Sequence, residues 1–88
     1  MDIKVVGILC PRTERTYLNA QVAAGEWGFE DSVQLLTDIA SITKLKIVSM
    51  PSVIINHKEK SSGRIPSLYE LRTWIKEEIG QEVESLRN

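Results

Sequence analysis

Two short runs limit what this chain can fold into. Residues 3–9, IKVVGIL, and the VII core of residues 52–56, SVIIN, are β-branched or apolar with almost no polar interruption. A strand with one wet face alternates apolar and polar residues. A run without alternation suits a strand covered on both faces. Two such strands in a chain of 88 residues fit best as neighbours in the middle of a single sheet, with other elements above, below and at the edges.

The remaining elements follow from local signals. Pro11 suits the first position of a helix, where its missing N–H is not needed. Residues 12–27 have the length and alanine content for that helix, and Gly28 supplies a stop. Tyr17, Ala20, Ala23, Ala24 and Trp27 share one side of it, with Leu18 and Val22 on another. Residues 32–36, SVQLL, read as a short strand. Asp38 caps a short helix containing Ile39 and Ile42, and residues 46–50 carry no clear pattern. Residues 57–64, HKEKSSGR, suit a solvent-facing edge strand, whose lysines discourage pairing with another chain. Ser67 and Glu70 form a capping box, S-x-x-E. The helix after it carries Leu68, Leu71, Ile75 and Ile79 on one stripe, with Tyr69, Thr73 and Glu77 pointing away. Trp27 and Trp74 are expected at helix ends and flanks, covering the core. Gly80 marks one end for this helix; a longer helix is the alternative. Residues 1–80 then form one domain, and 81–88 a tail or helix extension. The order is β-α-β-α-β-β-α, an α/β chain whose first and third strands are central and whose helices cover both faces of the sheet.

Composition excludes several functions. A formal net charge of −1, with 42% apolar and 26% charged residues, is that of an ordinary globule. It provides no field to draw the chain to nucleic acid or an anionic membrane. The longest small or apolar run, Val5 to Cys10, is too short to span a bilayer, and the first residues lack the pattern of a secretory signal. A single cysteine excludes an internal disulfide framework. A cytoplasmic protein kept reduced is the expectation.

That cysteine, Cys10, falls where the first strand gives way to the first helix. Unpaired amides and the helix dipole favour negative charge there. Arg12 and Arg15 add positive charge, which Glu14 partly offsets. Such surroundings lower a thiol from its free pKa of about 8.5 and populate the thiolate, the form that attacks disulfides. The other reading is a small buried hydrophobe, the usual state of a free cysteine. Both stand on the residues alone.

A wider pattern resembles the thioredoxin fold, and more narrowly the small thioredoxin/glutaredoxin-like "redox-active disulfide protein" family of bacteria and archaea. Gly7 with Cys10-Pro11-Arg12-Thr13, Thr37-Asp38-Ile39, Met50 to Asn56, and Gly63-Arg64-Ile65-Pro66-Ser67 carry the likeness, in order and at matching spacing from about Ile3 to Ile79. The resemblance implies a thioredoxin-like, four-stranded mixed sheet. It implies Cys10 as the catalytic thiol and Pro51 as a supporting cis-proline packed against it. It also implies that the Met50 backbone offers hydrogen bonds to an extended substrate by strand addition. Pro11, Arg12, Met50 and Arg64 become candidate substrate contacts, Arg64 toward a glutathione-like tripeptide.

One departure matters. The family's C-x-x-C reads C-x-x-T here, so Thr13 stands in place of the resolving cysteine. It can support the thiolate by hydrogen bonding but cannot displace a partner. Monothiol glutaredoxins, with serine in that place, resemble this arrangement. The implied function is monothiol thiol–disulfide exchange, or reversible mixed-disulfide formation, with a protein or a low-molecular-weight thiol such as glutathione. The alternative is a redox-inactive binding module that uses the groove around Pro51 for a peptide, a partner subunit or a second copy as a homodimer. No cofactor is expected. One cysteine and one histidine, His57, are too few ligands for a metal site within one chain; two chains sharing a soft ion through Cys10 is the remaining metal arrangement. Lys58, Lys60 and Arg64 read as a solvated edge, since Glu59 interrupts them.

Overall fold

A computed structural model describes residues Met1–Arg87. Four strands, β1 (Ile3–Val6), β2 (Val33–Leu36), β3 (Ser52–Ile55) and β4 (Lys58–Ser62), alternate with α1 (Pro11–Gly25), α2 (Ile39–Lys44) and α3 (Leu68–Arg87) in the order β-α-β-α-β-β-α. The strand order is β2-β1-β3-β4. β1 runs parallel to β2 and antiparallel to β3, and β3 pairs antiparallel with β4. The sheet is therefore mixed, with the two apolar runs at its centre. Both are closed to solvent: Ile3, Val5, Val6, Val53 and Ile55 are fully buried.

One face holds the core. Ile3, Val5, Val33, Val53 and Ile55 pack against Ala20, Ala23 and Ala24 of α1 and Leu71 and Ile75 of α3. The small alanine faces let α1 lie close to the sheet, while α3 supplies the larger side chains. On the other face, α2 spans Lys4 and Leu36 across a cavity of about 360 Å3, and none of its residues is fully buried. Asp38 caps it as read, accepting from the Ser41 amide at 2.9 Å. The capping box of α3 is also formed: the Glu70 amide donates to Ser67 Oγ at 3.1 Å, and the Ser67 amide to Glu70 Oε2 at 2.9 Å.

Several boundaries differ from the sequence reading. β1 ends at Val6 rather than Leu9. Its neighbours stop there too, since Val6 pairs with Leu36 and Ser52, and beyond it only the Gly7 amide reaches the Leu36 carbonyl, at 3.1 Å. With no partner strand, Ile8 and Leu9 leave the sheet and stand 60% and 61% exposed. Trp74 packs on the core, but Trp27 lies beyond the end of α1 and is 46% exposed. Gly80 does not stop α3. Past it, Glu82 accepts from the Asn56 side chain at 3.0 Å and lies 3.7 Å from the N-terminal ammonium, which holds the extra turns in place. Residues 81–87 are thus helix extension, and Asn88 lies outside the described residues.

The edge lysines are not simply solvated. Asn56 and His57, both at positive φ, make the two-residue turn between β3 and β4, the conformation a tight hairpin requires. Two residues apart on β4, Lys58 and Lys60 share a face and both reach Glu78 of α3, at 3.2 and 3.1 Å, while a bulge leaves Lys60 unpaired between Glu59 and Ser61. Glu78 is 2% exposed. Burial pushes its carboxyl up. Hydrogen bonds from Lys60 and Lys58, the Lys60 charge and the Asn56 amide outweigh that and hold it below the ordinary carboxylate value. The stability this cluster gives is complete above the unfolded pKa of about 4.3 and is lost as pH falls through the lower folded value. Glu78→Gln is expected to destabilise the fold by about 1–3 kcal/mol at neutral pH, and its urea midpoint should fall less on acidification below about pH 4 than that of the unaltered chain. Parallel acid limbs would show that the cluster contributes nothing.

Candidate functional site

The sheet's central strands open at one end onto three segments: residues 7–13, residues 49–52 and the turn at Gly63. The first two meet over Gly7. A Cβ added there would lie 2.9 Å from Thr13 Oγ1 and 3.4 Å from both Met50 Cβ and Pro51 Cα. The first spacing is closer than real side-chain atoms come, so only glycine lets α1 and the proline loop close over the end of β1. The Met50–Pro51 peptide bond is cis, and Pro51 is buried with Met50 half-buried beside it.

Cys10 occupies the N-cap of α1 in extended conformation, with Pro11 as the first helical residue. It is half-buried and forms no disulfide. The neutral thiol makes no capping hydrogen bond to the helix amides, and its partner is the Thr13 hydroxyl, 3.5 Å away. Thr13 is 1% exposed. The Thr13 backbone N–H and then its hydroxyl favour the thiolate. Partial burial opposes them, and the Arg12 amide and charge add to them. The Cys10 thiol is held below its ordinary pKa. Arg15, expected to share in this, is not among the causes.

The two arginines of the site are already engaged. Arg12 donates to the Gly63 carbonyl at 2.9 Å, tying the start of α1 to the turn before α3. Gly63 holds φ +78° there, and its amide donates to the Pro51 carbonyl at 3.0 Å. Arg64 pairs with Glu70 of the capping box at 2.8 Å. Pro11 is exposed beside the thiol. Met50 N–H and C=O make no internal hydrogen bond among the described residues. His57 is remote from this end, at the far tip of β3, where it is largely exposed and 3.9 Å from Asp2. Among the described residues no three potential metal ligands gather, and no helix is long and apolar enough to cross a membrane.

Sequence reasoning missed the serines that brace the proline loop. Ser52 Oγ donates to the Ser49 carbonyl at 2.6 Å, and Ser62 Oγ to the same oxygen at 3.2 Å. The pairing of Ser52 with Ser62 across β3 and β4 makes this possible, and only the hairpin register could have revealed it.

A mixed β2-β1-β3-β4 sheet with a cysteine capping the first helix defines a thioredoxin-like protein. The family model described as thioredoxin domain matches residues 1–76. A protein named thioredoxin from Methanocaldococcus jannaschii is 32% identical over 74 residues, 84% of this chain and 85% of that one. No solved structure gives a significant match. The chain belongs to the thioredoxin-domain family.

Gly7→Ala is expected to destabilise the fold by about 1–3 kcal/mol, because Thr13 is stiff at χ1 and cannot swing aside freely. The loss should be smaller in a Thr13→Ala background, where the opposing hydroxyl is gone. Additive losses in urea unfolding would mean that the Gly7–Thr13 approach is not the source.

Proposed function

We propose that the protein carries out monothiol thiol–disulfide exchange through Cys10. The observation that carries this reading is the half-exposed Cys10 at the α1 N-cap, its thiolate favoured by the Thr13 amide and hydroxyl. The Cys10 thiolate attacks one sulfur of a partner disulfide. A new bond joins Cys10 to that sulfur, and the other sulfur departs as thiolate with the electron pair of the broken bond. Thr13 supplies no second thiolate, so the mixed disulfide persists until an external thiolate attacks it. That attack forms a disulfide between the external thiol and the partner, and returns Cys10 as thiolate.

The surroundings favour a protein partner over glutathione. Arg12 and Arg64, the cations nearest in sequence to the two sides of the site, bond Gly63 and Glu70 through one nitrogen each, so the preference rests on the apolar and backbone groups beside the thiol. Ile8 and Leu9 stand exposed before Cys10, and Met50 has its backbone groups open for strand addition. The same exposed residues favour a second reading, a peptide-binding module in which Cys10 is idle. A cytoplasmic setting, where thiols stay reduced, suits the exchange reading.

Mass spectrometry of the reduced protein mixed with a disulfide-linked peptide separates the two. A one-to-one adduct that survives until external thiol is added, and is absent from Cys10→Ser, is the expected result. Thr13→Cys should release the peptide unaided, by closing a disulfide with Cys10. A peptide disulfide with apolar residues beside its cysteine should react several-fold faster than oxidised glutathione. Peptide binding that is equal in Cys10→Ser, with no covalent adduct in either protein, would favour the binding module and overturn the exchange reading.

A further inference from the structure

A second site lies on the helical face, away from Cys10. α1 presents its N-terminus to the proline loop, and its C-terminal end is about 20 Å away along the helix. There, a cleft of about 300 Å3 runs between α1 and α3, lined by Glu26, Trp27, Tyr69, Arg72, Thr73 and Lys76. Its walls are two aromatic rings and the stems of two cations. Trp27 and Tyr69 are 46% and 76% exposed, although an aromatic ring in a small domain gains most by joining the core.

Arg72 is held in a particular way. Its Nε donates to both oxygens of Glu26, at 2.9 and 2.8 Å. Both bonds use the same nitrogen, so the two terminal NH2 groups have no hydrogen-bond partner among the described residues. Glu26 therefore orients the guanidinium without covering its outer edge. Lys76, one turn further along α3, forms no ion pair among the described residues. The cleft carries two cations against one carboxylate, and that carboxylate is occupied by Arg72.

We propose that this cleft binds a small flat anion, an aromatic or heteroaromatic ring bearing a phosphate or a carboxylate. The ring stacks on Trp27 and Tyr69. The anionic oxygens take the open NH2 edge of Arg72 in the paired geometry that guanidinium offers phosphate and carboxylate alike, and Lys76 adds a point charge. The volume is at the low end of small-ligand sites, which limits the occupant to about the size of a nucleoside monophosphate. A ring without charge leaves the cations unanswered, and a bare anion leaves the aromatic walls wet.

Isothermal titration of the full chain tests this, with adenosine monophosphate and 4-hydroxybenzoate as ring-bearing anions and adenosine and inorganic phosphate as the separate parts. At least one ring-bearing anion is expected to saturate one site per chain, about tenfold or more tighter than adenosine or phosphate. Which of the two binds tells phosphate from carboxylate. Arg72→Gln should weaken it about tenfold or more, Arg72→Lys should not restore it, and Trp27→Ala should weaken it similarly. Mixed-disulfide formation at Cys10 should be unchanged in all three variants, so this proposal and the exchange reading fail separately. The proposal is overturned if neither ring-bearing anion saturates at millimolar concentration, if phosphate alone binds as tightly, or if Arg72→Gln binds unchanged. Arg72 is exposed, so Arg72→Gln decides the matter even if Trp27→Ala fails to fold.

Discussion

The side chain missing at Gly7 is the constraint on which the working end of this molecule depends. The start of α1 through Thr13 and the proline loop through Met50 and Pro51, distant in sequence, converge there over the end of β1. Without that close approach Thr13 would not be buried beneath Cys10, and the thiol would lose the neighbour that most favours its charged form. Arg12 and the Gly63 amide then stitch the same end to the turn before α3. The site is thus tied together on its protein side, with exposed Ile8 and Leu9 at its edge.

Polar groups clamp the opposite end of the sheet. Asn56 bonds the backbone of Asp2 in both directions, through its amide and its side-chain oxygen, and reaches Glu78 and Glu82 of α3. Glu78 binds both lysines of β4. A small domain with one layer of α1 and α3 on its core face has few apolar groups with which to fix a long helix. The ionic cluster supplies orientation that the Leu71 and Ile75 stripe alone would leave loose.

Much of the fold was legible in the residues. The unalternating runs at Ile3–Val6 and Ser52–Ile55 required central strands, and the Ser67–Glu70 box announced the last helix. Strand ends were not legible, because Val6 is terminal only where Leu36 and Ser52 also stop. Glu78 could be suspected as a charge on the Leu71–Ile75 stripe, but its partners Lys58 and Lys60 meet it only once β4 packs against α3. At the site, Cys10, Thr13 and Pro51 were implied by the resemblance to the thioredoxin fold, whereas the engagement of Arg12 by Gly63, 51 residues away, exists only in the folded chain. Trp27 was expected to cover the core. It stands outside because α1 ends two residues before it, at Gly25.

The central claim is that the fold activates Cys10. The rate of its alkylation by iodoacetamide as a function of pH, on the folded and the urea-unfolded chain, tests it directly. The account predicts a folded-state pKa below the unfolded value of about 8.5, a faster folded rate between the two values, and a shift back toward the unfolded value in Thr13→Val. Coincident folded and unfolded profiles, or a folded thiol that reacts far more slowly at every pH, would contradict it.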